Sequence, residues 1–312
     1  MKVFRDIENL PAISNCVVTT GSFDGVHIGH QVLIDRLNEL ARTIGGESVL
    51  ITFYPHVRKV LYPETKGKDL EMINSQSEKI ELLEKTGLDN LVLINFTLEF
   101  SKTSAEDFVR KLLVGKLGAR IIVVGYNHYF GHNKEGNYVK LIKLGKEINF
   151  EVVEIPKQEL EKETVGSTKI RKSLKNGKIM HANAYLDHIY FIHSVFCVGS
   201  ELYSNLGFKT FVVKIEEDSK LIPPDGIYAI RAEIDGLISK GMMLNNYHGT
   251  FIHPELKNAV EIYLFETGLD YCNKFGKVFV HKEMSRTIQL NDKEKLQSQM
   301  VTIRSEIEEL IY

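Results

Sequence analysis

The chain has 312 residues, enough for two domains of about 100–200 residues each, and carries 39 Lys and Arg against 41 Asp and Glu for a formal net charge of −2. That balance leaves no global basic field of the kind that dominates nucleic-acid binding, so DNA and RNA are not favoured partners. Three scattered cysteines, Cys16, Cys197 and Cys272, form neither a disulfide framework nor a Cys-x-x-Cys pair and read as thiols of a reducing compartment.

Met1 to Pro11 alternates charge with apolar residues, so neither a signal peptide nor a membrane span is read there and the expected location is the cytoplasm. From Cys16 to about Pro156, short β-branched runs alternate with amphipathic segments, the pattern of βαβ units and a parallel sheet. Strands are expected at Cys16–Thr20, Ser48–Phe53, Leu91–Asn95, Ile121–Gly125 and Phe150–Ile155. Between the first two, Leu33, Leu37, Leu40 and Ile44 mark a helical stripe. Ser75–Thr86, Ser104–Leu117 and Gly136–Ile148 supply three further helices, and Ser104 with Asp107 forms a capping box. The expected fold of this half is α/β, a doubly wound parallel sheet whose ligands bind outside the carboxyl ends of the strands.

At such an end stands Thr20-Gly21-Ser22-Phe23-Asp24-Gly25-Val26-His27-Ile28-Gly29-His30. Gly21, Gly25 and Gly29 let backbone N–H groups approach an anion, and the helix that follows adds the positive end of its dipole. His27 and His30 can then both face bound phosphates, with Phe23 and Asp24 in the same phosphate loop. The alternatives are a metal pair, for which no Cys or third carboxylate completes a zinc set in this segment, and ordinary surface histidines. Within this segment no metal ligand is assigned, and the metal ligands of the chain are left open.

Composition shifts near Lys175–Tyr190, which places the expected domains at residues 1–180 and 188–312. Beyond it, Phe211–Ile215, Gly226–Ile234, Leu237–Leu244, Val260–Glu266 and Lys277–His281 read as antiparallel strands of a small β-barrel, with Asp235-Gly236 as a hairpin turn. A helix from Asp292 follows, with Leu296, Met300, Ile303, Ile307 and Leu310 on its apolar face.

The His-x-Gly-His loop resembles the adenylyl/cytidylyl-transferase superfamily, and the first half is similar to the prokaryotic FAD synthetase module, usually joined to a riboflavin kinase domain. Five segments carry the likeness in order over about residues 15–185: Val17–Ile34, Thr52–His56, Ser104–Val109, Val123–Gly131 and Ser167–Arg171. The resemblance implies attack by an FMN phosphate oxygen on the α-phosphorus of ATP, with magnesium present and pyrophosphate leaving. It makes His27 and His30 donors to the ATP phosphates and gives Ser167, Thr168 and Arg171 to the leaving pyrophosphate, where a guanidinium pairs bidentately. It assigns Asn127 to phosphate or magnesium and Phe53, Pro55 and His56 to the FMN site. Two departures stand here: Val57 in place of a proline, and Gly166 in place of a serine.

The second half resembles riboflavin kinase in outline, through Gly207-Phe208, Thr210, Pro224–Ala229 and Glu261. Lys209, Phe211 and Val212 replace the proline, alanine and asparagine of that family's motif, and Leu244–Thr250 and Ser285-Arg286-Thr287 depart from two further segments. In the family the threonine and asparagine hold the metal–nucleotide, and a valine offers magnesium no oxygen. Glu261 is the implied base, or else a glutamate on a solvated face. The resulting expectation is an FMN adenylyltransferase, making FAD with a kinase-like remnant at Thr210 and Glu261. A bifunctional riboflavin kinase/FAD synthetase and a non-catalytic flavin-binding regulator are the alternatives, and the oligomeric state is open.

Overall fold

The computed structural model describes residues 1–156, 165–245, 259–266, 270–288 and 292–311. They divide into two compact units, one of Met1–Leu70 and Lys79–Val165, the other of Glu71–Glu78 and Gly166–Tyr312.

The first unit is built on six strands, β1 (Lys2–Phe4), β2 (Val17–Thr20), β3 (Ser48–Tyr54), β4 (Asn90–Asn95), β5 (Ile121–Gly125) and β6 (Glu151–Ile155). They pair in the order β1-β4-β3-β2-β5-β6, and every pair is parallel. From β2 the chain builds outward through β3 and β4 on one side and through β5 and β6 on the other. The direction of winding reverses beside β2, which opens a crevice at the carboxyl ends of β2 and β5. The expected strands are present within a residue or two, and β1, too short for a readable alternation, is an addition.

Helices α1 (Ile28–Thr43), α2 (Val57–Leu61), α3 (Gln76–Glu84), α4 (Ala105–Asp107) and α5 (Tyr138–Ile148) occupy the connections, α4 running on as a π-helical stretch over Phe108–Lys116. One face of the sheet, with Val18, Val49, Ile51, Val92, Ile94 and Ile122, packs on Phe108, Val109, Leu112 and Leu113 and on Leu141 and Leu144. Ser104 caps α4, its side chain accepting from the Asp107 N–H at 3.0 Å, as the capping box predicts. The buried stripe of α1 is Ile34, Leu37, Asn38 and Ala41, rotated from the expected one so that only Leu37 is shared. Asn38 is the reason the pattern misleads: it is buried and polar, and its Nδ2 donates to the Thr86 carbonyl at 2.9 Å.

In the second unit, α6 (Ser167–Lys175) and α7 (Ile179–Leu186) precede β7 (Phe191–Val198), α8 (Glu201–Ser204), β8 (Thr210–Ile215), β9 (Gly226–Ile234), β10 (Leu237–Asn245), β11 (Ala259–Leu264), β12 (Phe275–Ser285) and α9 (Lys293–Leu310). The six strands close into an antiparallel barrel in the order β10-β11-β8-β7-β12-β9. Closure leaves no unpaired sheet edge. Leu296, Met300, Ile303 and Ile307 of α9 pack on Ile227, Ala229, Met242, Leu244 and Tyr263. Leu310 is not part of that face: it is 41% exposed, and Ile311, where the helix has ended, is buried instead.

The units divide at other places than the expected 1–180 and 188–312, because the segment between them is tied to the barrel. Asn183 Nδ2 donates to the Val280 carbonyl at 3.0 Å, the Asn183 Oδ1 accepts from the Tyr190 N–H at 2.8 Å, and Arg171 Nε donates to the Glu71 carbonyl at 2.9 Å. Beneath these lies a buried ion pair, Glu78 and Lys220, each side chain 1% exposed. Glu78 also accepts from the N–H groups of Ser75 and His193, both at 2.9 Å. Lys220 donates to the carbonyls of Ile73 and Phe191, both at 2.8 Å, and lies 4.2 Å from the Tyr190 ring centroid. Of the expected variable segment Leu244–Thr250, residues 246–250 lie outside the described residues.

Candidate active site

Strand β2 ends at Thr20, and the loop to α1 turns through backbone conformations that side chains seldom adopt. Gly25 has φ of 91°, and Phe23 and Val26 have φ of 48° and 39° although neither is glycine. A β-branched residue there is strained, and such strain persists only where the surroundings over-determine it. Phe23, Asp24, Gly25 and Val26 are buried. A Cβ on Gly21 would meet the Phe23 ring at 2.9 Å, so this glycine serves packing, and its N–H, expected to approach an anion, donates instead to the Ile51 carbonyl at 3.0 Å.

His27 is the N-cap of α1 and makes no side-chain cap hydrogen bond. One turn on, His30 stacks on it, ring centroids 3.7 Å apart at 18°, with the Phe23 ring 4.9 Å from His30. Gly29 between them is buried. The Nδ1 of His30 is buried without a hydrogen-bond partner among the described residues. Burial, then the neighbouring His27 and the Lys79 cation, hold the His30 ring well below the ordinary histidine range. The result is two stacked imidazoles at a helix N-terminus, where the dipole favours an anion.

Around this centre stand residues the sequence reading did not single out. Lys79, from α3, is 6% exposed and its Nζ lies 3.4 Å from both the Ser22 carbonyl and Thr52 Oγ1. Nothing local marks it, since a lysine after a glutamate on an amphipathic helix has the pattern of a solvated pair. His128, in the turn after β5, has its Nε2 3.2 Å from Thr20 Oγ1, and burial lowers its pKa to about 4. This contact brings the β5 turn, with the exposed Asn127, against the end of β2.

A chain of rings runs beside it. Phe53 lies 5.5 Å from Phe96 and 6.2 Å from Phe100, Phe108 lies 6.4 Å from Phe100, and Phe130 lies 6.0 Å from Phe108 and 5.8 Å from His128. Of the expected flavin residues, Phe53 belongs to this run, and exposed Pro55 follows Tyr54 by a cis peptide. His56 caps the short α2 by accepting from the Arg58 N–H at 3.2 Å.

Ser167, Thr168 and Arg171 belong to the second unit, at the start of α6, with Gly166 as the N-cap. Thr168 is exposed, Ser167 half-buried, and Arg171 anchored to Glu71 as described. In the barrel, Glu261 is 3% exposed, so the solvated-face alternative is overturned. Its carboxylate accepts from the Ser200 N–H at 2.6 Å, from Ser200 Oγ at 2.9 Å and from the Thr210 hydroxyl. Val212, 2% exposed, pairs directly with Glu261 across β8 and β11.

Comparison with known proteins gives the chemistry a setting. The FAD synthetase family model matches residues 10–169, and the riboflavin kinase model matches residues 186–310. A bifunctional riboflavin kinase/FMN adenylyltransferase of Listeria monocytogenes is 31% identical over 252 residues, 81% of this chain and 78% of that protein. One of the same name from Buchnera aphidicola subsp. Schizaphis graminum is 30% identical over 96% of each chain. A crystal structure described as a macrolide-efflux protein from Streptococcus pneumoniae shares the fold, with a TM-score of 0.83 at 24% identity and 96% of both chains covered.

Proposed function

The chain belongs to the bacterial FAD synthetase family, and on that premise we propose that it transfers the adenylyl group of ATP to FMN, giving FAD and pyrophosphate. The observation that supports this most directly is the stacked His27–His30 pair on a strained loop at the crevice beside β2, with a buried His30 Nδ1 to which the described residues offer no partner. An FMN phosphate oxygen attacks the α-phosphorus, the bond to the bridging oxygen breaks, and the electron pair leaves on pyrophosphate. The protein has little covalent work, so rate comes from positioning and from donors aimed at the developing charge. His27, His30 and the loop N–H groups are those donors, and the dipole of α1 adds to them. Ser167, Thr168 and Arg171 serve the pyrophosphate, and Phe53 of the ring cluster flanks the isoalloxazine.

Magnesium fits as a partner of the substrate phosphates. Among the described residues no group of three His, Cys, Asp or Glu makes a protein cage, and magnesium is ordinarily held by substrate oxygens with one or two protein oxygens. Asn127 is the residue to supply one, and the ion would neutralise charge on the phosphates. No described helix is long and apolar enough to cross a membrane, and a cytoplasmic location accords with three free cysteines.

The kinase-like barrel is proposed to be inactive. Val212 offers no oxygen where the resemblance places a metal-binding asparagine, and Glu261, the implied base, is held by Ser200 and Thr210. A second reading, that riboflavin is phosphorylated too, is favoured by the retention of Thr210 and Glu261 in contact. The test of the transferase is product analysis with FMN, ATP and magnesium. FAD is expected, and His30→Ala should lower its formation by about two orders of magnitude. Near wild-type turnover of His27→Ala and His30→Ala at saturating ATP would overturn the assignment.

A further inference from the structure

The loop that begins at Gly21 faces a difficulty that glycines do not solve: a backbone carbonyl pointing at the phosphates would repel them. Ser22 is the residue concerned, and its carbonyl is taken up elsewhere. It accepts from Thr52 Oγ1 at 3.2 Å and from Lys79 Nζ at 3.4 Å, while the same Nζ lies 3.4 Å from Thr52 Oγ1. These three groups form a closed triangle under the loop. Thr52 is fully buried and Lys79 is 6% exposed. Because a trans peptide holds its N–H opposite its C=O, fastening the Ser22 carbonyl turns the Phe23 N–H away from Lys79 and Thr52. Phe23 is also one of the two non-glycine loop residues at positive φ, so the fastening and the strain act on one peptide.

We propose that Lys79 is a positioning residue of the polyphosphate site, holding the Ser22 carbonyl back so that loop N–H groups face the nucleotide and placing a fixed positive charge beneath the histidine pair. This rests on the transferase reading for the identity of the nucleotide, and on the geometry alone for the binding of a polyphosphate. A lysine ammonium suits the task as a compact cation with three donors. It accounts for the neighbourhood of His30 as well: His27, Phe23 and Lys79 surround that ring, and the cation opposes its protonation until phosphate charge arrives.

The test uses the full chain with Lys79→Met, which keeps an unbranched side chain and removes charge and donors, and Lys79→Arg, which keeps the charge. ATP and inorganic pyrophosphate binding are measured by calorimetry, FAD formation by product analysis and the His30 ring by NMR titration. Lys79→Met is expected to weaken binding of both ligands by about tenfold or more, since it loses both the cation and the donor that holds the Ser22 carbonyl back. Its His30 should titrate at higher pH than in the wild type, while Lys79→Arg, which keeps the charge, should leave the titration where it is. A folded Lys79→Met protein with ATP affinity within twofold of wild type, or with an unmoved His30 titration, overturns the proposal. Should Lys79→Met fail to fold, Lys79→Arg decides: affinity within threefold supports the assignment, and a tenfold loss in the folded protein overturns it. Wild-type protein that binds ATP in a Lys79-dependent way yet makes no FAD would sink the transferase reading and leave the role of Lys79 standing.

Discussion

At the scale of single residues, the site is governed by what burial does to imidazoles. His128 is lowered to about 4 by burial, and His30 is held well below its ordinary range by burial, His27 and Lys79. In the unfolded chain both rings take up a proton at about 6.5. As pH falls below that value the unfolded chain binds protons that the folded chain refuses, so stability drops through the window from about 6.5 towards 4. The stability of the wild type is therefore expected to decline steeply between pH 7 and pH 4. His128→Phe, which keeps a ring against Phe130, should remove about 3 kcal/mol of that decline. Urea unfolding at a series of pH values measures it, and an unchanged slope in the variant would show that His128 titrates normally in the folded state. His30 was marked in the sequence by the glycine-rich loop around it, whereas nothing adjacent to His128 distinguishes it from a surface residue. For His128, tertiary burial alone makes the difference.

At the scale of elements, the segment Glu71–Glu78 is held in the second unit by a buried charge pair. Glu78 and Lys220 have their remaining capacity taken up by the N–H groups of Ser75 and His193 and the carbonyls of Ile73 and Phe191. A pair so satisfied contributes modestly as a pair, but removing one partner leaves a charge buried with no compensation. Lys220→Met is expected to destabilise this unit by about 3–5 kcal/mol, and the double variant Glu78→Gln/Lys220→Met by clearly less. Denaturant unfolding of the single and double variants gives the comparison, and equal losses in both would refute the argument. The pairing spans a separation of 142 residues, so no local pattern announces it.

For the whole molecule, the two halves differ in how fully they carry the residues that the proposed chemistry would use. The loop before α1 keeps the glycines and histidines that phosphate chemistry asks for. The barrel keeps its closure and its apolar contacts while presenting Val212 beside Glu261. On the proposed reading the barrel keeps its fold because its stability lies in strand pairing and core burial, while Val212 offers magnesium no oxygen and weakens the nucleotide site. Riboflavin with ATP and magnesium should therefore yield no FMN under conditions in which FMN yields FAD. Chromatography of the flavins resolves both reactions in one experiment. Formation of FMN from riboflavin at a rate comparable to FAD synthesis would make the bifunctional reading the right one.

Much of this architecture follows from local patterning. Strands β3, β4 and β5 are nearly continuous buried apolar runs, as expected of inner parallel strands, and the hairpin at Asp235-Gly236 and the caps at Ser104 and Asp292 are local chemistry. The phosphate loop was legible for the same reason, since its glycines and histidines lie within ten residues of one another. What only the tertiary structure decided are the features whose partners are remote in sequence: the seating of Lys79 under Ser22, the contact of His128 with Thr20, and the allocation of α6, α7 and Glu71–Glu78 to the barrel unit. Strand β7 belongs with these. Its residues Phe191–Val198 lack a clean alternation because a strand inside a closed barrel, paired on both edges, is selected by its neighbours β8 and β12 rather than by its own period. Side-chain period and turn chemistry are properties of adjacent residues, whereas burial and charge pairing are properties of the folded neighbourhood.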